Sequence, residues 1–433
     1  MAARGRTRRV IIVAHHFPPR GGGEVLRVLK FAKYLPQFDW LPTVVTADPA
    51  VYEQELIDRD LGRDAEGIPV VRLWYPGPWK YFSPAQRPHQ SQSRGMGALP
   101  GLKAWIRNRI LPYLEVPWVV PAFLAVRRTH RQEAADAVLT SSPPGWAHLV
   151  GYLAKRLLGI PWVMDFRDQW AGNPVYAFSK WRRHKGLDRR LESAWLATAD
   201  AIVTATPAIT AHYSRITGRS DIKTITNGYD TEDFLCVESV YPERFTVTYV
   251  GTLGPGNNPA PFLAAWREFL SRRRIDEAHA ACRFVGHRSR MDFEGAVAGD
   301  DVLRRTVHFE NFVCHGQALG EMARASVLLI LLSHDSTALT SKLFEYLGAG
   351  KPILAIAPPG ELSGFLTQRR LGAAFRAEDQ GGIVSELERL YDRHEKGLLS
   401  GLDERRELAP FERRRLTGTL AEVLNQVTRT ARD

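Results

Sequence analysis

Lys342 and Glu345 are the residues whose types and spacing most directly imply chemistry. They sit one helical turn apart in Thr340-Ser341-Lys342-Leu343-Phe344-Glu345-Tyr346-Leu347-Gly348-Ala349-Gly350. Ser341 or Thr340 can cap the first free N–H groups of a short helix, and Gly350 can take the left-handed conformation that ends one. A lysine in the first turn sits against the positive end of the helix dipole and is locally unfavourable. It makes sense where an anion such as a phosphate occupies that helix start. Glu345 does not complete a capping box, because the residue three before it is Lys342, which accepts no hydrogen bond. A carboxylate one turn into a phosphate-holding helix is placed to accept hydrogen bonds from sugar hydroxyls. A solvent-exposed Lys and Glu on an ordinary helix is the other reading, and this stretch alone leaves it open.

Further polar groups stand where parallel strands end. Pro161-Trp-Val-Met164 reads as a strand and runs into Asp165-Phe166-Arg167-Asp168; such strand ends are where ligands bind in open parallel sheets. Asp168 or Asp165 is placed to orient an acceptor, and Arg167 to touch phosphate or to pair with them. A self-satisfied Asp-x-Arg-Asp ion pair is the competing account. Val10-Ile-Ile-Val-Ala14 leads into His15-His16 and Gly21-Gly22-Gly23, and Phe245-Thr-Val-Thr-Tyr-Val250 leads into Gly251-Thr252-Leu253-Gly254. Each is a strand, a glycine loop and then a helix, the opening of a doubly wound nucleotide-type domain whose backbone lets a ligand approach closely.

These elements occur in two series. The first adds strands at Thr43–Thr46, Pro69–Leu73, Ala137–Thr140, Ala201–Thr204 and Ile222–Ile225. The second adds Cys282–Val285, Val307–Phe309, Val327–Leu332 and Ile353–Ala357. The expectation is an α/β chain of two Rossmann-like doubly wound domains, residues 1–228 and 229–409, facing a cleft. A terminal helix over 410–433, through Leu416, Leu420, Val423 and Leu424, crosses back to the first domain. Between about 75 and 118 the pattern dissolves into an irregular insertion. Its Trp79, Lys80, Tyr81, Phe82, Trp105, Arg107, Arg109 and Trp118 suit contact with an acceptor or a membrane surface, or simply anchor the insertion.

The composition bounds the function class. A chain of 433 residues exceeds one compact core, and 44% apolar with 24% charged residues is ordinary for a globular protein. The 3 cysteines, Cys236, Cys282 and Cys314, are far apart, which excludes a disulfide framework or a Cys-based zinc site and suits a reducing cytoplasm. The basic start meets His15-His16 too soon for a secretory signal core. No apolar run approaches the roughly 18 residues of a membrane span; Trp118 to Val126 comes nearest and Pro121 interrupts it. A formal net charge of +11 fits phosphorylated small molecules or an anionic membrane surface. The dispersed arginines argue against nucleic acid.

Taken together these motifs resemble the retaining glycosyltransferases of the two-Rossmann-domain (GT-B) class, glycosyltransferase family 4, over nearly the whole chain. The likeness rests on Phe17-Pro-Pro with Gly21–Gly23 and Arg27, Ser141-Ser-Pro-Pro144, Asp165-Phe-Arg-Asp168, Ala199-Asp200, Asn227-Gly-Tyr-Asp230, Tyr249-Val-Gly251 and Ser341 to Pro352. It implies that Glu345, the second glutamate of the family's Glu-x7-Glu, contacts the donor's ribose or sugar. It also implies that Thr340, Ser341 and Lys342 receive the diphosphate, with Gly251, Thr252 and Gly254 opposite. Phe312 and Val313 would contact the base, and His16, Gly22, Gly23 and Arg27 would face diphosphate and acceptor from the first domain. Three positions depart from the family: Thr337 replaces the first glutamate, Thr252 and Asn257 stand where cations bind diphosphate, and Arg167 stands where a histidine is common.

The expected reaction is transfer of a hexose-like unit from a nucleotide diphosphate to an acceptor hydroxyl, which requires stabilising a leaving diphosphate and an oxocarbenium-like sugar. Asp168, Arg167, Lys342 and Glu345 are the expected catalytic set. The resemblance implies that the leaving phosphate takes the acceptor proton, and that no metal and no cofactor beyond the donor is needed. A saccharide, a lipid-linked glycan or a small molecule would be the acceptor, at a cytoplasmic site or the inner membrane face. A nucleotide-sugar epimerase or a non-catalytic nucleotide-sugar-binding protein on the same fold are the rival readings.

Overall fold

A computed structural model of the protein describes residues 7–52, 54–75, 116–171, 185–235, 237–238, 241–288, 293–332, 339–399 and 408–430. Two parallel sheets carry it. The first comprises β1 (Arg8–Ala14), β2 (Trp40–Ala47), β3 (Val70–Leu73), β4 (Ala137–Ser142), β5 (Trp162–Phe166), β6 (Ala201–Thr204) and β7 (Lys223–Thr224). The second comprises β8 (Phe245–Val250), β9 (Ala280–Val285), β10 (Val307–Glu310), β11 (Val327–Leu331), β12 (Ile353–Ile356) and β13 (Gly372–Phe375). Their orders are β3-β2-β1-β4-β5-β6-β7 and β10-β9-β8-β11-β12-β13.

Parallel strands covered by helices on both faces must be apolar throughout, as Val10 to Ala14 and Val327 to Leu331 are, all of them buried. Each sheet reverses its winding beside a central strand, at β1/β4 and at β8/β11. Crevices open at such switch points, and both glycine loops leave the sheets there.

The helices used below are α1 (Gly23–Tyr34), α2 (Val116–Gln132), α3 (His315–Ala323), α4 (Ser341–Ala349) and α5 (Arg413–Thr430). The chain passes between domains along two adjacent paths: Tyr229 N–H donates to Phe411 O at 3.1 Å and Arg413 N–H to Tyr229 O at 2.8 Å. Leu416, Leu420, Leu424 and Val427 of α5 then join Val10, Ile12 and Leu29 in the first domain's core. No helix among the described residues is long and apolar enough to cross a membrane.

Three sequence expectations change here. Strand β13 was not foreseen. Its Gly-Ala-Ala-Phe sequence is half-buried at a sheet edge and carries no β-branched residue to signal it. Helix α2 begins at Val116, inside the span read as insertion, and includes Pro121 rather than stopping at it. Trp118 is fully buried with its ring edge-on to His15 at 5.1 Å, so it meets neither acceptor nor membrane. The insertion's remaining aromatic and basic residues, Trp79 to Arg109, lie outside the described residues, as does Thr337.

Candidate active site

Helix α4 is built as its sequence requires. The Thr340 hydroxyl accepts from Lys342 N–H at 3.1 Å, and Gly350, at φ 68°, ends the helix in the left-handed conformation. Leu343, Phe344, Tyr346 and Leu347 are buried, so the helix presents Ser341, Lys342 and Glu345 to the cleft. There they line a cavity of about 500 Å³ between the two domains. The loop after β1 (Arg20 to Glu24) forms its first-domain wall. Val250, Gly251 and Thr252 after β8, with Phe312 and Val313, form the second-domain wall.

Lys342 does not project freely. Its Nζ lies 2.5 Å from the Tyr249 hydroxyl and 4.2 Å from that ring's centroid. The Tyr249 hydroxyl donates to Thr252 O at 2.7 Å, which leaves its lone pairs for the ammonium. Burial pushes the lysine down to about 8, against the opposing charge of Glu345. Burial raises the Tyr249 phenol well above its ordinary range, and it stays protonated. Gly251 makes this approach possible: its φ is +138°, and a Cβ there would lie 2.1 Å from Lys342 Cε. Asn257 donates to Thr252 O at 3.1 Å, and it is Lys342, with His315, that brings positive charge to the cavity from the second domain among the described residues.

Glu345 lies beside it, its side chain 15% exposed, with Oε1 at 3.7 Å from His315 Nδ1. Burial raises this carboxyl, while His315, Arg413 and Lys342 pull it back down; the net direction is upward. Arg413, fully enclosed at the domain crossing, is pushed down to about 9 by burial and by Arg27.

The first domain closes tightly on the second. Gly23 faces the Ser341 hydroxyl, and a Cβ on Gly21 would lie 2.9 Å from the Phe312 ring. Gly22 lines the same wall.

The expected catalytic set divides. Lys342 and Glu345 line the cavity, whereas Arg167 and Asp168, 3.8 Å apart on the loop after β5, do not. His16 also lies outside the lining. Burial, the neighbouring His15, Arg20 and Arg167 all hold its imidazole well below the usual range, so it is neutral. Gly254 is an extended residue behind the loop, and Thr340 is spent on the cap.

Arg27 and Asp165 are corrections. Both are 0% exposed and joined to each other: Arg27 Nη2 donates to Asp165 Oδ1 at 2.7 Å, and Arg27 Nη1 to Thr226 O at 2.9 Å. Ser141 Oγ donates to Asp165 Oδ2 at 2.8 Å. Their charges satisfy one another inside the first domain, and neither lines the cavity.

Residues not singled out from sequence complete the site. Asp58, Arg20, Glu24 and His315 line the cavity, and Tyr249 seats Lys342. Tyr249 was visible only within the Tyr249-Val-Gly251 motif at the end of a strand, and His315 lay in no motif. Among the described residues the acidic trio Asp64, Asp230 and Asp233 has metal-ligand spacing. The Lys30 ammonium pairs with all three carboxylates and occupies the position an ion would take.

Residues 22–228 match the family model of a glycosyl transferase 4-like domain. No curated protein matches the chain by sequence. Among solved structures it is similar to sucrose-phosphate synthase from Thermosynechococcus elongatus, at 15% identity over 98% of this chain and 100% of that one, with a TM-score of 0.66. The catalytic domain of starch synthase IV from Arabidopsis thaliana, bound to ADP and acarbose, aligns at 13% identity over 98% and 99%, with a TM-score of 0.58. A protein from Listeria monocytogenes described as a UDP-N-acetylglucosamine 2-epimerase aligns at 12% over 96% and 94%, with a TM-score of 0.54. At such identities the likeness is one of fold: two parallel-sheet α/β domains facing a cleft. The protein thus has the GT-B fold, and residues 22–228, within its first domain, match the model of a glycosyl transferase 4-like domain.

Proposed function

We propose that this protein transfers a sugar from a nucleotide-diphosphate donor to an acceptor hydroxyl, with retention of anomeric configuration. The observation that carries the reading is the convergence of both glycine loops and the Lys342–Glu345 face of α4 on one interdomain cavity. A diphosphate at the N-terminus of α4 meets the positive end of the helix dipole and the Lys342 ammonium, beside a first turn whose Lys342 N–H is capped by the Thr340 hydroxyl. These stabilise the charge that develops as the glycosidic bond to phosphate breaks. Glu345 accepts hydrogen bonds from the donor's sugar or ribose hydroxyls. Phe312 and Val313 flank the base. Gly22 and Gly23 bring first-domain backbone to the diphosphate.

Arg167, Asp168 and His16, on the first-domain rim, are assigned to the acceptor side. The acceptor is a saccharide, a lipid-linked glycan or a small molecule. Retention follows from the family resemblance, in which the leaving phosphate takes the acceptor proton, so the reaction uses no metal and no cofactor beyond the donor. The starch synthase domain, of the same fold, was solved with ADP and acarbose, and this supports a nucleotide and a saccharide sharing the cleft. The +11 charge fits a cytoplasmic protein that also meets the anionic inner face of a membrane.

The test is incubation with a panel of nucleotide sugars, with and without acceptors, following nucleotide release and the anomeric proton of the product by NMR. Acceptor-dependent release with retained configuration is expected. Acceptor-independent conversion of the sugar to its 2-epimer would replace this reading with the epimerase one. Unchanged transfer by Glu345→Ala would sink the assigned site.

A further inference from the structure

His315 joins three parts of the molecule that the cleft brings together. It opens α3, and its backbone N–H donates to Asp58 Oδ2 of the first domain at 2.7 Å. Its Nε2 lies 3.3 Å from Asp233 Oδ2, in the segment that leads from one domain to the other. Its Nδ1 lies 3.7 Å from Glu345 Oε1.

We infer that His315 is a positioning residue for the donor site: its ring orients the Glu345 carboxylate, and the Asp58 contact makes that orientation depend on a closed cleft. The inference rests on the reading of Glu345 given above.

The hydrogen-bond inventory of the ring supports it. A neutral imidazole has one N–H and can donate to one carboxylate, whereas an imidazolium donates from both nitrogens. The Asp233 contact is a hydrogen bond, whereas the Glu345 contact, at 3.7 Å, is an ion pair that exists only with the charged ring. The groups facing it favour that state. Asp233 on the connecting turn and Glu345 on α4 are the nearest. Asp58 and Asp60 approach from the first-domain loop. Lys30 on α1 and Lys342 on α4 oppose, and Arg413 on α5 faces Glu345. Burial works against the charge, but the Asp233 hydrogen bond and the charges of Glu345 and Asp233 outweigh it and raise His315 above its ordinary value of 6.5. Asp233 moves the opposite way, to about 2: burial raises it, and His315 and Lys30 more than reverse that.

The link to closure is mechanical. Gly21 N–H donates to Leu56 O and Asp58 N–H to Pro19 O, both at 2.7 Å. The Asp58 loop therefore moves as one piece with the first glycine loop. Opening the cleft withdraws Asp58 from the first turn of α3, and that turn carries the ring that holds Glu345.

The test uses the full chain and two readouts. The first is an NMR titration of the histidine rings, with His315 assigned by the resonance lost in His315→Gln. A midpoint above 6.5 that falls in Asp233→Asn is expected; a midpoint at or below 6.5, indifferent to Asp233→Asn, overturns the inference. The second is the affinity for UDP, GDP, ADP and dTDP between pH 6 and 9. His315→Gln keeps a neutral donor and should weaken the best-bound nucleotide by about tenfold at pH 6. It should also flatten the decline above pH 6.5, and Asp58→Asn should weaken binding while lowering the ring's midpoint less than Asp233→Asn does. Wild-type affinity and pH profile in His315→Gln would overturn the inference. If no nucleotide binds the wild type, the reading of the cleft fails, and the ring titration alone decides the role of His315.

Discussion

At the scale of single residues, the site turns on a lysine held where lysines are disfavoured. Lys342 sits at a helix N-terminus, burial holds it down to about 8, and the Tyr249 hydroxyl and ring seat it. Its lowered value has two opposite consequences. Between about 8 and its ordinary 10.5, the unfolded chain holds a proton on this lysine that the folded one has released. Stability without ligand therefore rises with pH across that window relative to Lys342→Met. A diphosphate prefers the ammonium, so nucleotide affinity falls across the same window; opposing slopes in denaturation and binding titrations check both. Replacing Lys342 with Met should weaken a nucleoside diphosphate by roughly 10- to 100-fold, the worth of a charge-assisted hydrogen bond. The sequence showed Lys342 and Glu345 because their types clash with an ordinary helix start. It could not show that Arg27 and Asp165, equally charged and near equally suggestive motifs, cancel one another in the interior. Nothing in their local sequence reveals a partner more than a hundred residues away, at 2.7 Å.

At the scale of elements, two loops and one helix must meet at backbone distance. Gly251→Ala would force a Cβ into Lys342 Cε at a φ that L-residues rarely adopt. It should lower nucleotide affinity and cost about 1–3 kcal/mol of stability, measured by binding and by denaturant unfolding of the same sample. The glycine loops, most strands and the caps of α4 were legible because each obeys a local rule: apolar runs for covered parallel strands, a hydroxyl before a helix, a glycine after it. Strand β13 was hidden because Gly372, Ala373 and Ala374 carry no such signal. The start of helix α2 was hidden because it lies inside the span read as irregular insertion. His315 lay outside any legible motif, since its importance comes from Asp58, Asp233 and Glu345, which no spacing connects.

At the scale of the whole molecule, the domains are tied by the α5 crossing and by charge. Leu420 and Leu424 are fully buried in the first domain's core, so Leu420→Ala should destabilise by about 2–5 kcal/mol while leaving the second domain's wall of the cleft intact. Arg27→Met, which strands Asp165 without its partner, should cost about 3–5 kcal/mol. Denaturant unfolding separates these structural roles from Lys342→Met, which removes a buried charge and should leave the protein at least as stable as wild type near neutral pH. The most direct test of the cleft as a nucleotide-diphosphate site is a thermal-shift screen of the wild type, Lys342→Met and Glu345→Ala against UDP, GDP, ADP and dTDP. One nucleotide at a hundred times its Kd should stabilise the wild type by about 2.7 kcal/mol, and both variants should lose most of that gain while melting no lower than the wild type without ligand. Stabilisation by none of the four, or equal stabilisation of all three proteins, would contradict the account.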